Sequence, residues 1–412
     1  MTKIHIITFG CALNQADSEA MAGVLKENNY DLVNTPETAD VIIINTCTVK
    51  DQTIKNFEKQ LKQYKDKKII LAGCIAQTEE LPYSRIGTDQ IHRIPEVIEE
   101  TMQGNIIALT SRERNQRINL PKIRKNKIIE IIPISQGCLG NCTYCKTREA
   151  RGKLFSYDED AIIRNAKNAI KNGVKELWIT SQDTGAYGKD TNTSLPKLIN
   201  KLTKIEGDFK IRIGMMNPNH AIEFIDNLLL SMESEKVFKF LHIPIQSGNN
   251  EILKLMNRHY TVEQYKEVTN KIKNKFKDLT LATDIIVGFP TESDEQFQDT
   301  IKLVKEIKFD IINRSRYSAR PKTKAALMPQ IHDRIKKDRS RELTEVFKTI
   351  SFDNNQKWIG WEGDIIIDDS KETESMGRNF AYKPIATKKL ELGTKIKIKI
   401  NEAKTFRLKA FY

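Results

Sequence analysis

Short apolar runs alternate with amphipathic segments through the first 110 residues of the chain. The runs are KIHIITF, DVIIIN and KIILAG, and the segments between them have helical spacing from about residue 15 to 28 and from 55 to 64. Strands and helices that alternate in this way build a parallel sheet with crossover helices. The pattern therefore predicts an open parallel α/β domain at residues 1–110.

The same alternation resumes after a polar, basic segment at residues 111–127, which has little hydrophobic periodicity and contains Pro121. That segment is predicted to be a linker. Six apolar runs follow, most of them with a helix-like stretch behind them: IIEIIPIS, KELWITS, FKIRIGM, KFLHIPI, LTLATDIIVGF and FDIINRSRYS. Six such units predict a full or partial (β/α)6-type barrel at residues 128–350.

The last segment, residues 351–412, has a different pattern. A Lys- and Arg-rich helix is predicted at 335–348, and beyond it DIIID, ATKKLELGTKIKIKI and TFRLKAFY alternate apolar with polar residues. Alternation of period two indicates strands with one buried face. The segment is predicted to form a small antiparallel β-barrel.

The composition indicates a globular protein with a nucleic-acid partner. The 412 residues are 39% hydrophobic, which is enough to bury several cores. Lys and Arg number 67 and Asp and Glu 54, and the net charge of +13 attracts a polyanion. A surface of merely solvated lysines is the alternative. No apolar run has the length of a membrane span or of a signal-peptide core, so we expect a cytoplasmic protein with no membrane partner.

Three of the six cysteines lie in one short loop with the spacing Cys138-Leu-Gly-Asn-Cys142-Thr-Tyr-Cys145, directly after a predicted strand. Three thiolates on a four-iron cluster leave one iron open, and that iron can take the amine and carboxylate of a substrate. Structural zinc prefers four ligands, often with a second paired CxxC, and disulfides are disfavoured in a reducing cytoplasm. The loop therefore predicts an iron–sulfur centre.

The other three cysteines, Cys11, Cys47 and Cys74, are far apart in sequence, but each comes just past the end of a predicted strand. The carboxyl ends of parallel strands share one edge of the sheet, where open α/β sheets bind ligands. Ordinary burial of small residues is the alternative for any single cysteine. Three such placements together predict a second cluster.

Several long motifs resemble the radical-SAM (S-adenosylmethionine) methylthiotransferase family over essentially the whole chain. They are FGCALNQADSE, INTCTVKD, LAGCIAQ, GCLGNCTYCKTREARG, ITSQDTGAYG and GRNFAYKPI. The resemblance implies an N-terminal methylthiotransferase domain, a radical-SAM barrel and a C-terminal RNA-binding TRAM barrel. Two of the stretches are similar to the archaeal and eukaryotic branch, which acts on N6-threonylcarbamoyladenosine at tRNA position 37, beside the anticodon.

The resemblance also implies the chemistry and the cofactors, which are SAM and two [4Fe-4S] clusters. The cluster on Cys138, Cys142 and Cys145 would cleave SAM to a 5′-deoxyadenosyl radical that removes hydrogen from C2 of the adenine. The cluster on the other three cysteines would carry the sulfur, and a second SAM would supply the methyl group. All six cysteines are thus predicted to be catalytic, with a flavodoxin or ferredoxin as electron donor and a monomeric enzyme.

Residues at the ends of the barrel strands are candidates for SAM binding, because the catalytic rim of α/β barrels lies there. The rim predicts Gln182, Asp183 and Gln246, with Arg258 close by. The resemblance implies Asp284, in a strand and turn similar to those that line the SAM adenosine, and Tyr144 of the cysteine loop completes the predicted set. The planar fork of Arg258 suits a methionyl carboxylate. For these residues the alternatives are an ordinary polar loop or a surface charge. Thr291 stands where the family commonly has glycine, which leaves the shape of that turn open.

Four cations are candidates for contact with tRNA. Arg148 and Arg151 follow the cysteine loop and are predicted to meet a tRNA phosphate or the threonylcarbamoyl carboxylate. Arg378 and Lys383 belong to a C-terminal set that mixes basic and aromatic side chains, as surfaces that bind nucleic-acid strands do. Solvated surface charge is the alternative for all four.

Three other functions compete with this interpretation. Methylthiolation of a ribosomal-protein aspartate and of N6-isopentenyladenosine in tRNA keep the chemistry and change the substrate. A non-catalytic RNA-binding protein whose cysteines hold zinc belongs to another class.

Overall fold

The N-terminal domain is an open sheet of six parallel strands covered by helices. The computed structural model describes residues 1–48, 51–114 and 116–410. The strands of this domain are β1 (Lys3–Phe9), β2 (Asp31–Leu32), β3 (Val41–Thr46), β4 (Lys68–Ala72), β5 (Ser84–Ile86) and β6 (Ala108–Leu109), in the order β2-β1-β3-β4-β5-β6. The helices are α1 (Ala12–Glu27), α2 (Asp51–Gln63), α3 (Gly73–Thr78) and α4 (Ile94–Gln103). Every residue of β3 is buried, as expected for a strand covered on both faces.

The central domain is an arc of six parallel strands, as the six apolar runs predict. Its strands and a short hairpin are β7 (Ile129–Pro133), β8 (Ser135–Gln136), β9 (Phe155–Ser156), β10 (Glu176–Thr180), β11 (Lys210–Ile213), β12 (Phe240–His242), β13 (Thr280–Val287) and β14 (Ile311–Arg316). The helices are α5 (Thr147–Arg151), α6 (Glu159–Lys171), α7 (Leu195–Thr203), α8 (Pro218–Ser231), α9 (Asn250–Leu255), α10 (Val262–Lys275) and α11 (Asp294–Ile307).

The arc remains open, so the barrel is a partial one. The sheets β11-β10-β7 and β12-β13-β14 are joined by a single parallel bridge between Ile211 and Val237, and β7 does not pair with β14 in the described part of the chain. Side chains alternate along the strands: Leu177 and Ile179 pack outward in the main core, whereas Trp178 faces inward. This alternation places a row of polar side chains inside the barrel.

A long helix, α12 (Asp333–Gln356), leads into the C-terminal barrel, and the boundary predicted at residue 350 falls inside it. The closed barrel has the order β15-β16-β17-β19-β18, with β15 (Glu362–Ser370), β16 (Glu374–Arg378), β17 (Pro384–Lys388), β18 (Lys395–Ala403) and β19 (Leu408–Ala410). Four of its strand pairs are antiparallel, but β17 and β19 are parallel. A closed ring of five strands cannot alternate direction throughout, so one parallel pair is required.

The segment predicted as a linker is packed between the first two domains. Ile118 is 1% exposed in the core of the central domain. The Ile123 amide donates to the Glu19 carbonyl on α1 at 3.0 Å, and Lys122 Nζ lies 2.6 Å from the Glu130 carboxylate on β7. The segment is therefore part of the interface between the domains. None of the helices in the described ranges is long and apolar enough to cross a membrane.

Tyr382 of the C-terminal barrel closes the amino-terminal end of the central barrel. Its ring lies 4.8 Å from the ring of Phe238 and 5.2 Å from that of Phe240, measured between centroids. The Arg212 guanidinium lies 5.2 Å from the same ring. Contacts of this kind hold the barrel on the central domain by burial and by cation–π attraction.

Substitution of this ring should weaken the docking of the C-terminal barrel. Tyr382→Ala is expected to lower the free energy of unfolding by about 3 kcal/mol, as loss of a buried aromatic ring does. Tyr382→Phe keeps the ring and should cost about 1 kcal/mol or less. Urea unfolding followed by circular dichroism measures both values. Equal stability of the alanine and phenylalanine variants would show that the ring does not hold the interface.

Glu176 makes the stability of this end of the barrel depend on pH. Burial and the nearby Asp368 charge raise the pKa of Glu176 from 4.5 to about 7. The folded protein thus holds this proton more tightly than the unfolded chain, so stability falls as pH rises from about 4.5 to 7. Over this pH range the free energy of unfolding of the Glu176→Gln variant should fall by up to about 3 kcal/mol less than that of the wild type.

Urea unfolding at the two ends of this pH range tests the expectation for Glu176. Glu206→Gln, at an exposed position, is the matched control and should keep the wild-type pH dependence. If the Glu176→Gln variant loses as much stability between the two pH values as the control, Glu176 is not the titrating group.

Candidate active site

The cysteine loop lies at the carboxyl rim of the central barrel. Gly137, with a φ of +76°, turns the chain into the loop where a Cβ atom would overlap the Lys153 backbone. Thr143 fixes the middle of the loop, because its hydroxyl donates to the Leu255 carbonyl at 2.8 Å and its amide to the Met256 carbonyl at 3.1 Å. The loop is therefore held against the end of α9.

Each thiol of the loop accepts an N–H hydrogen bond. The donor and acceptor pairs, at 3.2 to 3.3 Å, are Gly140 with Cys138, Arg258 with Cys142 and Thr147 with Cys145. Burial and the Asp183 charge raise the pKa of Cys138 to about 12, so a bound metal is needed to keep it as thiolate. N–H groups directed at cysteine sulfur are among the features that tune iron–sulfur clusters. The loop thus fits a cluster with three thiolate ligands.

Gln182 and Asp183 lie on the rim beside this loop, as predicted. The buried Asp183 carboxylate accepts from the Asn217 amide at 2.9 Å and the Gly185 amide at 3.1 Å, and His220 Nε2 lies 3.5 Å away. Burial raises the pKa of Asp183, and the His220 charge opposes that rise. The Gln182 side-chain oxygen is buried without a hydrogen-bond partner among the described residues. That oxygen can serve a bound ligand.

Arg258 ties the loop to the end of β12. Its Nε donates to the Tyr260 hydroxyl at 2.9 Å and its Nη2 to the Pro244 carbonyl at 3.4 Å, in addition to the bond to Cys142. The guanidinium predicted to bind a carboxylate therefore also orients a cluster ligand. Tyr144, predicted beside it, packs edge-on against Phe289 with centroids 6.3 Å apart.

Asp284 lies on β13, and Gln246 lies beyond the end of β12, where an isolated parallel bridge joins it to Ile285 of β13. Gln246 has a φ of +71°, and its amide donates to the Asp284 carbonyl at 2.9 Å. The Asp284 carboxylate is 2.7 Å from His242 Nε2 and accepts from Asn313 Nδ2 at 2.9 Å. Asn313 was missed by the sequence analysis, although its inward position on β14 could have indicated it. The side chains of His242, Asp284 and Asn313 form a polar row inside the barrel.

The turn after β13 shows why glycine suits the position of Thr291. Thr291 has a φ of +67°, in the left-handed region that favours glycine. The neighbouring Glu292 is buried, accepts from the Gly288 amide at 2.8 Å and lies 2.9 Å from Arg339 Nη1. Burial raises the pKa of Glu292 to about 7. The ion pair between Glu292 and Arg339 keeps the turn in place. The sequence did not indicate this pair.

The structure brings the other three cysteines to one edge of the N-terminal sheet. Cys11 precedes α1, Cys47 follows β3 and Cys74 lies in the first turn of α3. Strands β1, β3 and β4 are adjacent, so their carboxyl ends meet there. A hydrogen bond with Cys47, aided by the Arg151 charge, lowers the pKa of Cys74 to about 6. Burial raises the pKa of Cys11, which lies near Cys74.

Two buried asparagines support this edge. Asn14 accepts from the Cys11 thiol at 3.3 Å and donates to the Asn45 side-chain oxygen at 3.1 Å. Asn45 donates to the Ser18 hydroxyl at 2.8 Å. Gly73, with a φ of +84°, lets α3 begin where a Cβ atom would overlap Asn45. These asparagines fix the spacing of the cysteines, and the residue pattern alone did not single them out.

The cations predicted to bind tRNA after the loop have different surroundings. Arg148 is partly exposed on α5. Arg151 is only 1% exposed, and its Nη1 lies 2.6 Å from the Asp17 carboxylate on α1. A tRNA phosphate does not reach a guanidinium buried between two domains. The expectation for Arg151 is corrected accordingly.

The two cations predicted in the C-terminal barrel also pair within the protein. Lys383 Nζ is buried and lies 2.7 Å from the Asp310 carboxylate of the central domain. Arg378 Nε donates to the Asp368 carboxylate at 2.7 Å. Lys383 links the barrel to the central domain and Arg378 pairs within the barrel, so the structure offers neither as an open phosphate contact.

The fold and two family models define the class of the protein. The model of the radical SAM superfamily matches residues 132–304, and that of the uncharacterized protein family UPF0004 matches residues 3–90. A solved radical SAM methyltransferase, TsrM from Kitasatospora setae, aligns with a TM-score of 0.57 at 10% identity, over 79% of this chain and 75% of that one. The chain is a radical SAM protein with a further N-terminal domain.

Relatives of this chain identify the family within that class. A probable threonylcarbamoyladenosine tRNA methylthiotransferase of Pyrococcus abyssi is 42% identical over 89% of each chain. One of Archaeoglobus fulgidus is 39% identical over 98% of this chain and 96% of its own. The human threonylcarbamoyladenosine tRNA methylthiotransferase is 42% identical over 85% of this chain and 63% of its own. The chain belongs to the threonylcarbamoyladenosine tRNA methylthiotransferase family.

These findings confirm the predicted family, fold class and enzyme class. The C-terminal five-stranded barrel is consistent with a TRAM domain. SAM and two [4Fe-4S] clusters are the cofactors of this family, and the two cysteine sets fit the clusters.

Proposed function

We propose that this chain inserts sulfur and a methyl group at C2 of N6-threonylcarbamoyladenosine in tRNA. The observation that carries the proposal is the position of α5 between the two cysteine sets. This helix begins two residues after Cys145 and ends at Arg151, which lies beside Cys74. Five helical residues span about 8 Å, so both sets lie close together at the interface between the domains. Sulfur transfer to a carbon that has lost hydrogen needs both centres near the same atom.

The names of the relatives support the substrate. When bound, the loop cluster supplies radical chemistry from SAM and the N-terminal cluster supplies sulfur. In this proposal Gln182 and Asp183 bind SAM at the rim, with Arg258 and Tyr144 at the loop. Gln246 and Asp284 complete the predicted SAM set from the far side of the barrel.

Cations around a second cleft support tRNA binding. The cleft, of about 550 Å³, lies between α2 and the end of β14, and its lining includes the cations Lys55, Arg316 and Lys336, the last of them 3.2 Å from the Asp333 carboxylate. Cations along such a cleft can follow a phosphate backbone. Arg148, partly exposed on α5, remains in the proposed tRNA surface.

An electron donor such as a flavodoxin or ferredoxin is proposed to reduce the loop cluster. Leu139 is 46% exposed within the loop, so this part of the loop lies at the protein surface beside the cysteines. We propose a monomer because one chain supplies all six cysteines. Cytoplasmic location is proposed because thiol ligands persist in a reducing compartment.

Nucleoside analysis of tRNA treated with the anaerobically reconstituted protein tests the proposed function. The reaction contains SAM, a reductant and tRNA that carries N6-threonylcarbamoyladenosine. The expected product is 2-methylthio-N6-threonylcarbamoyladenosine, identified by mass spectrometry. Matched tRNAs with unmodified adenosine or with N6-isopentenyladenosine should give much less product. Product from the isopentenyl substrate alone, or from a ribosomal protein alone, would assign the chain to one of the competing substrates.

A further inference from the structure

Arg151 enters the N-terminal cysteine site from the central domain. It is the last residue of α5, and its side chain is 1% exposed beside Cys74 and Cys11. Gly152, with a φ of +78°, ends the helix and turns the chain away. A segment that begins beside one cysteine set thus delivers a cation to the other.

The buried charges around Arg151 do not balance. Asp17 lies 2.6 Å from Arg151 Nη1 and 2.5 Å from Arg117 Nη1, so two guanidinium groups share one carboxylate. Arg117 is 5% exposed, and Asp89 nearby has its own cation, Arg112, at 3.6 Å. A buried charge without compensation is strongly destabilising. The site therefore calls for one further negative charge beside Arg151, where the sulfur atoms of Cys74 and Cys11 lie.

Arg151 also has hydrogen-bond donors to spare. Its Nη1 is paired with the Asp17 carboxylate at 2.6 Å, but its Nη2 is buried without a hydrogen-bond partner among the described residues. Buried donors in native proteins nearly always have a partner, so an acceptor is expected at this point. Three thiolates around an oxidised [4Fe-4S]2+ core carry a net charge of −1 and expose sulfide acceptors. The cluster supplies both the missing charge and the missing acceptors.

We propose that Arg151 is a positioning residue that donates N–H hydrogen bonds to the sulfur atoms of the N-terminal cluster and raises its reduction potential. Positive charge and hydrogen bonds to sulfur stabilise the more negative, reduced cluster. The cluster's potential then depends on how the central domain docks, because Arg151 belongs to that domain. This inference rests on the cluster assigned to Cys11, Cys47 and Cys74 in the proposed function.

The test uses full-length protein in which Cys138, Cys142 and Cys145 are replaced by alanine, so that only the N-terminal cluster remains. Arg151→Gln, Arg151→Lys and the control Arg148→Gln, on the same helix but partly exposed, are made in this background. Iron and sulfide per chain are measured first. The midpoint potential is then measured by a redox titration followed by electron paramagnetic resonance.

We expect about four irons per chain in each variant, as for one four-iron cluster. The potential should become more negative in Arg151→Gln, shift less in Arg151→Lys and stay unchanged in Arg148→Gln. An unchanged potential in Arg151→Gln with its iron retained would overturn the inference. If Arg151→Gln loses its iron, the potential of Arg151→Lys is used instead. An unchanged potential in that variant, with its iron retained, would likewise overturn the inference. Absence of iron from the parent protein would instead contradict the second cluster of the proposed function.

Discussion

Replacement of Cys11, Cys47 and Cys74 by alanine is expected to lower the iron content from about eight to about four atoms per chain, as expected for the loss of one of two four-iron clusters. Formation of the methylthio product should fall below detection. Cleavage of SAM to 5′-deoxyadenosine should continue, because the loop cysteines remain in place at the rim of the central barrel. Iron, sulfide and both products are measured on the same anaerobic preparation.

Two comparisons make this result specific to the cysteines. Alanine at Cys138, Cys142 and Cys145 should also halve the iron content but abolish SAM cleavage as well. Asn14→Ala leaves the thiols and removes the acceptor 3.3 Å from Cys11, so partial loss of iron is expected there. If the first triple variant kept eight irons, or if zinc replaced iron in wild type, the second cluster would be refuted.

Replacement of Arg258 by lysine is expected to reduce the rate of SAM cleavage by about 100-fold, since small errors in the position of reacting groups have effects of that size. The guanidinium donates at once to Cys142, Tyr260 and Pro244, and a lysine ammonium cannot keep this planar geometry. The measurement is single-turnover formation of 5′-deoxyadenosine, with iron content determined in parallel.

His259→Ala is the matched control for Arg258, because His259 is the next residue in the chain and is exposed. It should cleave SAM at the wild-type rate. Dissociation constants for SAM separate two roles of Arg258: a weaker SAM complex supports the predicted carboxylate contact, and unchanged affinity with slow cleavage indicates orientation of the cluster. Wild-type cleavage and affinity in Arg258→Lys would remove the residue from the site.

Local patterns in the sequence determined the positions of the strands and hence of the cysteines. Apolar runs such as VIIINT predict buried parallel strands, and a parallel sheet places the ends of neighbouring strands together. The three cysteines that follow β1, β3 and β4 are therefore brought to one edge by the sheet itself, and the Asn14 and Asn45 contacts then fix their spacing. The six runs of the central domain predicted its strands for the same reason.

The sequence could not reveal which distant side chains meet across domain interfaces. Arg151 and Lys383 are cations of the kind that contact tRNA. In the folded protein they instead form buried ion pairs with Asp17 and Asp310, which belong to other domains. Neither carboxylate has a periodic relation to its partner, because docking of separate domains brings them together. The part of the chain at 116–127, which packs between two domains, was predicted as part of a linker for the same reason.

The pattern of buried and exposed positions along the chain thus determined the strands and helices. With them, the sequence alone determined the two cysteine sets. Only the tertiary structure determined how the strands of the C-terminal barrel close into a ring and how the turn after β13 is shaped. The parallel pair β17–β19 follows from the five strands of the ring, and the left-handed turn at Thr291 follows from the burial of Glu292. The tertiary structure alone placed a cation from the radical SAM domain beside the cysteines of its neighbour, because burial and charge pairing act between segments that the sequence keeps far apart.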